Sequence, residues 1–473
     1  MNIFRKRSVA DFKEAIEGSG LKKQLTAFDI AALGIGSVIG TGIFVATGQG
    51  AQLAGPAVTI SYIVAAITSA LCALTYAELA TMFPVAGSTY SYTYVAFGEI
   101  IAWIIGWNLI LEYTVVAAAV ASGWSSTLVG IFEAYNIHLP AMLIKSPLVG
   151  GMVDLPAVLV IAFITWLLYI GVSESAKVNN IIVFIKVSVI IVFIVLGATH
   201  INVANYHPFS PYGTKGIMSA AAIIFFAYIG FDAVSTAAEE TINPKRDIPL
   251  GLTICLTVII ILYVAVSLTL TGMVPFKEID VDNALPAALR RIGITWGSAL
   301  VGVGAVIGMI STLLVTIYGQ VRIFMVMSRD GLIPKSLARI SKKHGTPGIC
   351  TIATGALTAV IGGFLPLTVL MDLCNIGTLS AFIIVSIGVI ILRRTMPNVE
   401  RKFKCPGVPF TPILTVLFCF YLMYSLPGVT WIRFGVWTIV GIAIYFLYGA
   451  RHSTLCDSTN NLEVNKEENK EEI

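Results

Sequence analysis

Two ionisable side chains, Lys186 and Glu112, stand inside long apolar stretches of this sequence. Lys186 occurs in NNIIVFIKVSVIIVFI and Glu112 in WNLILEYTVVAAA. A charge inside a membrane is costly, so such residues are candidates for carrying protons or for pairing with a charged ligand. The alternative for Lys186 is a side chain that extends to the membrane surface. Glu112 could be a proton site, a partner for a cationic side chain, or a neutral carboxyl in a structural hydrogen bond.

A third apolar stretch contains GIGSVIGTGIF, residues 34–44, with four glycines. Glycine lets the backbone leave a helix. The N–H groups at the start of a half-helix are then partly positive, and the carbonyls at the end of the other half are partly negative. Such a gap suits a zwitterion, which carries both a carboxylate and an ammonium group. The alternative is close helix packing through the GxxxG pair of Gly36 and Gly40.

A second interruption is predicted in FFAYIGFDAVSTAAEE, residues 225–240, at Gly230 and Asp232. By the count of apolar stretches, the two interrupted segments are each the first of five. Paired interrupted helices in corresponding halves are typical of inverted-repeat transporters with a midplane binding site. An α-amino acid is a zwitterion of the size that such a gap would bind.

The composition places these segments in a membrane. Hydrophobic residues make up 57% of the chain and charged residues 12%, with a mean hydropathy of +0.87, whereas soluble domains carry about 25% charged residues. The net charge of +4 does not point to nucleic acid. The seven cysteines and five histidines show no metal or redox spacing, so neither a metal nor a cofactor is predicted.

Twelve spans follow from the need for about 20 mainly apolar residues per membrane-crossing helix. They lie near 28–54, 57–83, 98–132, 154–172, 179–199, 216–240, 249–274, 295–328, 348–365, 368–393, 411–428 and 431–450. Most of the 30 Lys and Arg residues then fall in the termini and in one set of loops. The positive-inside rule therefore predicts that both termini are cytoplasmic.

The predicted fold is an all-α membrane protein with two inverted repeats of five helices, of which helices 1 and 6 are discontinuous. The segments are a cytoplasmic N-terminal segment (1–27), the first repeat (28–199), the second repeat (216–393), two additional helices (411–450) and a disordered cytoplasmic tail (451–473).

Three motifs together resemble one family. GIGSVIGTGIF, FAYIGFDAVSTAAEETINPKRDIP and VRIFMVMSRDGLIP are similar to the signatures of the amino acid–polyamine–organocation superfamily, and most similar to bacterial members of its cationic amino-acid transporter branch. The resemblance covers about residues 25 to 450. It implies the fold above and uptake of amino acids across the plasma membrane, commonly driven by protons.

The resemblance also implies a substrate site. The carboxylate would meet N–H groups at Thr41 and Gly42, with Gly40 permitting the turn. The ammonium group would meet the carbonyls of Val38, Phe226, Ala227 and Ile229. Phe231 is a candidate lid or a packing residue, and Thr316 and Ile317 are candidates for contacting the substrate side chain.

Lys186 is predicted to carry the coupled proton, since burial disfavours the charged form of a lysine. The resemblance agrees, because a lysine at this place in the branch stands where sodium-coupled relatives bind sodium. The candidate pocket side chains favour neutral or branched-chain substrates. Cationic substrates remain an alternative, because Glu112 could pair with their positive charge. A small single-span subunit is a possible further partner.

Five other charged residues are predicted to have supporting roles near the ends or interruptions of the spans. Asp232 is expected to order the unwound backbone, Arg322 to act in a lid or charge pair, and Glu78, Glu239 and Glu240 to act as gates or caps.

The alternative function is exchange of an amino acid for its product, which needs no proton site. A channel would require a filter or a charged pore ring, and an enzyme would require converging catalytic side chains. The sequence offers neither, so a transporter is predicted.

Overall fold

The computed structural model describes residue 5 and residues 24–83, 88–171, 176–232, 234, 240–341, 345–399 and 401–454. Glu239 and most of the predicted terminal segments, 1–27 and 451–473, lie outside these residues. Within the described ranges the chain forms helices and no β-strand.

The first half of the chain contains nine helices in the described ranges, and the second half contains eight. They are α1 (Ala27–Val38), α2 (Thr47–Ala54), α3 (Val58–Met82), α4 (Ser88–Ala96), α5 (Glu99–Ala134), α6 (Ala141–Ile144), α7 (Leu155–Tyr169), α8 (Ala176–Ala198), α9 (Gly213–Ile224), α10 (Pro244–Met273), α11 (Ala284–Arg291), α12 (Thr295–Arg329), α13 (Gly348–Phe364), α14 (Leu367–Thr395), α15 (Phe410–Tyr424), α16 (Gly428–Ile444) and α17 (Ala450–His452).

Short π- and 3₁₀-helical segments interrupt or join these helices. They are a π-helix at Gly42–Ala46, a second at Tyr445–Gly449, and 3₁₀ turns at Gly55–Ala57, Pro147–Val149, Val203–Tyr206, Phe225–Tyr228, Phe276–Glu278 and Lys335–Ala338.

Seven helical stretches are long and apolar enough to cross a membrane, judged by length and composition. They are Gly42–Met82, Glu99–Ala134, Val178–Ala198, Arg246–Met273, Thr295–Arg329, Leu367–Thr395 and Gly428–His452. Five shorter apolar helices are Ala27–Val38, Leu155–Tyr169, Gly213–Tyr228, Gly348–Phe364 and Phe410–Tyr424.

Helices α5 and α12 pack against each other along their length and form the centre of the bundle. Helix α14 also packs on α5, while α1 packs mainly against α10 and α8. Local sequence fixes where α1 begins, because Thr26 and Asp29 form a capping box. Thr26 Oγ1 accepts from Asp29 N at 3.4 Å, and the Asp29 carboxylate accepts from Thr26 N at 3.0 Å.

Both ends of the described chain lie beside Glu99, the first residue of α5. Glu99 N donates to Arg5 O at 2.9 Å, and Ser453 Oγ donates to Glu99 Oε2 at 2.6 Å. The hydroxyls of Tyr94 and Tyr445 donate to the same carboxylate. The two ends therefore lie on one face of the bundle.

Glu78, predicted as a gate or cap, is only 1% exposed and bonds to the loop after α14. Arg393 donates to its two carboxylate oxygens at 3.0 and 2.7 Å, and Arg401 lies 3.3 Å away. Cys405 N donates to the same carboxylate at 2.8 Å. This partly buried ion pair joins α3 to α14, and removing Glu78 would leave both arginines without their acidic partner.

Asp154 directly precedes α7 and caps its N-terminus. This end of α7 lies on the face of the bundle opposite to Glu99. Its Oδ1 accepts from Ser125 Oγ at 2.5 Å and from Ala157 N at 3.2 Å. Burial outweighs these hydrogen bonds and raises the pKa of the Asp154 carboxyl to about 6.

The raised pKa of Asp154 predicts a pH-dependent stability. In the folded chain this carboxyl holds its proton to higher pH than in the unfolded chain. The contribution of this raised pKa to the free energy of unfolding is therefore fully present below about pH 4, and it is lost as the pH rises through about 6. Thermal unfolding of the wild type and Asp154→Asn, measured from pH 4 to 8, should show a wild-type midpoint that falls relative to the variant as pH rises. A difference that does not change with pH would contradict this assignment.

Candidate functional site at two interrupted helices

The glycine-rich segment interrupts the first helix. Helix α1 ends at Val38, and Ile39 is extended with φ −74° and ψ 101°. The chain resumes as the π-helix Gly42–Ala46 and continues into α2. The last carbonyls of α1 therefore lack the partners that a continuous helix would supply, and inside a membrane they need others.

Side chains from three other helices supply those partners. Lys186 Nζ, on α8, donates to Gly36 O at 2.7 Å and to Thr312 Oγ1 at 2.9 Å. Thr312 Oγ1, on α12, lies 3.3 Å from both Gly36 O and Ile39 O. The Tyr263 hydroxyl, on α10, donates to Val38 O at 3.3 Å.

Lys186 is fully buried, so its side chain does not extend to the surface. Its ammonium group lies at the C-terminal end of α1, where the helix dipole favours a positive charge. The lysine stem also packs against α12, since a Cβ added at Gly308 would lie 3.0 Å from Lys186 Cγ. One buried side chain thus joins three helices.

The sixth predicted span is also interrupted. Helix α9 ends at Ile224, a 3₁₀ turn covers Phe225–Tyr228, and Ile229 is extended with φ −69° and ψ 141°. Gly230 follows with φ +115°, a conformation that side-chain-bearing residues rarely adopt. Asn375 Nδ2, on α14, donates to Ala222 O at 2.8 Å and to Ile223 O at 3.0 Å.

The two interruptions are in direct contact. A Cβ added at Gly42 would lie 2.4 Å from Ala227 Cα, and one added at Gly230 would lie 3.0 Å from Ser37 O. The backbones approach this closely only because glycine occupies both positions. Gly42 is therefore brought together with Ala227, and Gly230 with Ser37.

Thr41 closes the space between the first interruption and the far half of α5. It is fully buried, and its Oγ1 lies 3.3 Å from Val120 O and 3.2 Å from Met309 Sδ. A Cβ added at Gly123 would lie 2.3 Å from Thr41 Cγ2. Thr41 is thus packed between α5 and α12.

Glu112 on α5 lies near Asp232, which follows the second interruption. The two carboxyl groups interact electrostatically, and each residue is less than 5% exposed, at 3% and 4%. Thr378 lies beside Glu112, and Tyr113 lies beside Asp232. Asp232, expected only to order the backbone, is therefore part of a buried acidic pair.

The remaining predicted residues occupy different surroundings. Phe231 is fully buried, with its ring 6.1 Å from that of Tyr76 and 5.4 Å from that of Phe382. Phe226 is 5% exposed and lies in the 3₁₀ turn. Thr316 bonds within α12 to Thr312 O at 2.7 Å, and the adjacent Ile317 is buried.

Arg322 lies at a charge pair rather than at the interruptions. Its guanidinium lies 3.9 Å from Glu240 and donates to the Tyr318 hydroxyl at 2.8 Å. Glu240 O in turn accepts from Gln24 N and Leu25 N, just before α1. The contact links the chain beyond the second interruption to the start of α1.

Sequence reasoning missed Thr312, Tyr263 and Asn375 as partners of the interrupted helices. Each is a polar residue within an apolar helix, and that is the signal by which they could have been selected. Many other threonines and tyrosines share that signal, so only the geometry distinguishes these three.

The close approach at Gly42 generates a stability prediction. Gly42→Ala would push a methyl group into Ala227 and cost about 1–3 kcal/mol, as expected for overpacking. The thermal midpoint of the purified protein should fall. Gly435→Ala is the matched control, since a Cβ there meets nothing within 4 Å. Equal midpoints for the two variants would contradict the close approach.

Comparison with known proteins identifies the family. A model of the amino acid permease family matches residues 25–447. The branched-chain amino acid permease BcaP of Bacillus subtilis is 48% identical over 96% of this chain and 99% of the relative. The methylthioribose transporter of Bacillus subtilis is 44% identical over the same shares. The vacuolar cationic amino acid transporter 4 of Arabidopsis thaliana is 30% identical over 96% of this chain and 97% of the relative.

These matches extend over nearly the whole chain and agree with the resemblance found from the three motifs. With its long apolar helices, the chain is an all-α, multi-pass membrane protein, and it belongs to the amino acid permease family.

Proposed function

We propose that this protein is a secondary active transporter that imports amino acids across the plasma membrane by proton symport. The observation that carries the proposal is the meeting of two interrupted helices at Gly42 and Ala227, with buried Lys186 bonded to one of them. This arrangement offers partly charged backbone groups for a zwitterion and a titratable group beside them.

In the proposed topology, the apolar helical stretches form twelve spans. Ala27–Val38 and the first part of Gly42–Met82 together form span 1, and the rest of Gly42–Met82 forms span 2. Residues 28–199 and 216–393 are inverted repeats, and residues 411–450 are additional. Arg5 and Ser453 on one face of the bundle, together with the basic residues of the loops, support cytoplasmic termini.

The substrate carboxylate is proposed to bind N–H groups at Thr41 and Gly42. The ammonium group of the substrate binds four backbone carbonyls, those of Val38, Phe226, Ala227 and Ile229. Because the Tyr263 hydroxyl already donates to Val38 O, an incoming ammonium group would share or replace that hydrogen bond. The small separation of Gly42 from Ala227 implies that the helices separate slightly when substrate binds.

A branched-chain side chain is the proposed preference. Ile317 and Phe231 are apolar and buried, and the relative BcaP is named as a branched-chain amino acid permease. The Glu112–Asp232 pair is the feature that would suit a cationic side chain, and transport of such substrates is the second candidate.

Lys186 is proposed to couple the proton to these movements. When protonated, it is attracted to the negative end of the α1 dipole and holds α1 against α8 and α12. When the proton leaves, that attraction weakens and α1 can move. Proton binding would therefore favour the arrangement that binds substrate, and proton loss would favour release.

Uptake into proteoliposomes tests the function. Radiolabelled leucine, isoleucine, valine, arginine and lysine, together with methylthioribose, would be supplied under an inward proton gradient. A one-unit pH gradient should accumulate leucine about tenfold for one proton per substrate, since 1.4 kcal/mol corresponds to a factor of ten.

The control dissipates the gradient with a protonophore, and accumulation should then disappear. Uptake that ignores the gradient and instead requires an internal amino acid would replace symport with exchange. An absence of uptake for every amino acid would contradict the proposed function.

A further inference from the structure

A cavity of about 310 Å³ lies beside the last third of α5, away from the two interruptions. Its volume lies at the lower end of the range of small-molecule sites. Its wall includes polar and charged residues from several segments, among them Gln49, Lys145 and Arg290. Arg5 and Ser453 contact the first residue of α5, so the cavity is on the opposite face, which is external in the proposed topology.

Thr41 packs beside the part of α5 that lines the cavity. Gly123, against which Thr41 packs, lies between Ser122 and Ser126, and both serines line the cavity. Gln49, two turns beyond Thr41 along the chain, lines it as well. Residues 34–42 and 225–232 do not line the cavity, so a molecule in it would not be the one bound at the interruptions.

Three nearly buried residues of the cavity wall have unused hydrogen-bonding capacity. Gln49 Oε1, Ser146 Oγ and Asn283 Oδ1 have no hydrogen-bond partner among the described residues, and their residues are 9%, 4% and 5% exposed. Buried polar atoms without partners are uncommon and costly. A polar ligand in the cavity would supply the missing partners after small side-chain rotations.

The charges of the wall have both signs. Lys145 and Arg290 supply positive charge, and Glu133, Asp280 and Asp282 supply negative charge. The Asp154 carboxylate also lines the cavity but is bonded to Ser125 and Ala157. A ligand that is only a cation would leave the two basic residues without a partner in it. A ligand that is only an anion would do the same to the more numerous acidic residues.

Apolar side chains complete the wall, and they are those of Val129, Ile144, Val149, Leu365 and Leu367. A carboxylate, an ammonium group and an apolar side chain are the three parts of a neutral amino acid. Each of the three has complementary groups in the cavity.

We propose that this cavity is a second binding site for a zwitterionic amino acid, in which external substrate is held before Thr41 admits it to the interrupted helices. Lys145 and Arg290 bind the carboxylate, Glu133 and Asp282 bind the ammonium group, and the apolar wall receives the side chain. The inference rests on the proposed function, since it takes the transported amino acid as the ligand.

Equilibrium binding of radiolabelled L-leucine to the purified full-length protein tests the proposal. The wild type should bind two leucines per chain. Arg290→Gln should bind one, whereas the matched control Arg291→Gln should still bind two, because Arg291 is half exposed and pairs with Glu278 outside the cavity wall. Gly42→Ala, which obstructs the interruptions, should also bind one, and Arg290→Gln should abolish that remaining binding.

Several outcomes would overturn the second site. One leucine per wild-type chain, lost in Gly42→Ala, would remove the second site and leave the proposed function intact. Two leucines in both arginine variants would likewise reject this cavity as the second site. Binding of no leucine by the wild type, when transport also fails, would instead overturn the proposed function. If Gly42→Ala does not fold, the wild type and the arginine variants still decide the number of sites.

Discussion

The hydrogen bond from Lys186 Nζ to Gly36 O, at 2.7 Å, is the contact on which the rest of the site depends. A helix that stops within a membrane leaves carbonyl groups that lipid cannot satisfy. In this protein, hydrogen bonds to three carbonyls at the end of α1 come from side chains of other helices, namely those of Lys186, Thr312 and Tyr263. Donors from other helices therefore supply hydrogen bonds that the interrupted helix cannot make itself.

The second interruption obeys the same constraint with a neutral donor. Asn375 Nδ2 donates to two carbonyls near the end of α9, those of Ala222 and Ile223. The two ends therefore differ in their donors, since an ammonium group bonds to the end of α1 and an amide bonds to the end of α9. A change in the protonation of Lys186 would act on α1 directly, and the contact between Gly42 and Ala227 connects this movement to the second interruption.

Much of the architecture could be predicted from sequence because a cluster of glycines and an isolated charge are distinctive inside apolar helices. The glycines of residues 34–44 lie where α1 ends. Gly230 adopts a positive φ just after the 3₁₀ turn that follows α9. The family was likewise predicted from three motifs and is confirmed by the whole-chain matches. Most predicted span ends differ from helix ends by a few residues, since apolar composition does not specify caps. The sixth span, predicted at 216–240, differs more, because α9 ends at Ile224.

The partners in the site were harder to predict. Thr312, Tyr263 and Asn375 reach the interruptions from distant parts of the sequence, and the pairing of Asp232 with Glu112 depends on how α5 packs. A side chain's residue type does not reveal which carbonyl it will face. The substrate contacts and the coupling role of Lys186 stay predictions that depend on movement between states.

The most direct test of the account is proton movement in proteoliposomes that contain a pH-sensitive dye. External leucine should acidify the interior of wild-type vesicles and of vesicles with Lys215→Ala, since Lys215 is exposed at the start of α9. Lys186→Ala should give no acidification, because the group that carries the proton is absent. Leucine-driven acidification at the wild-type rate in Lys186→Ala would contradict the central claim and assign Lys186 a structural role alone.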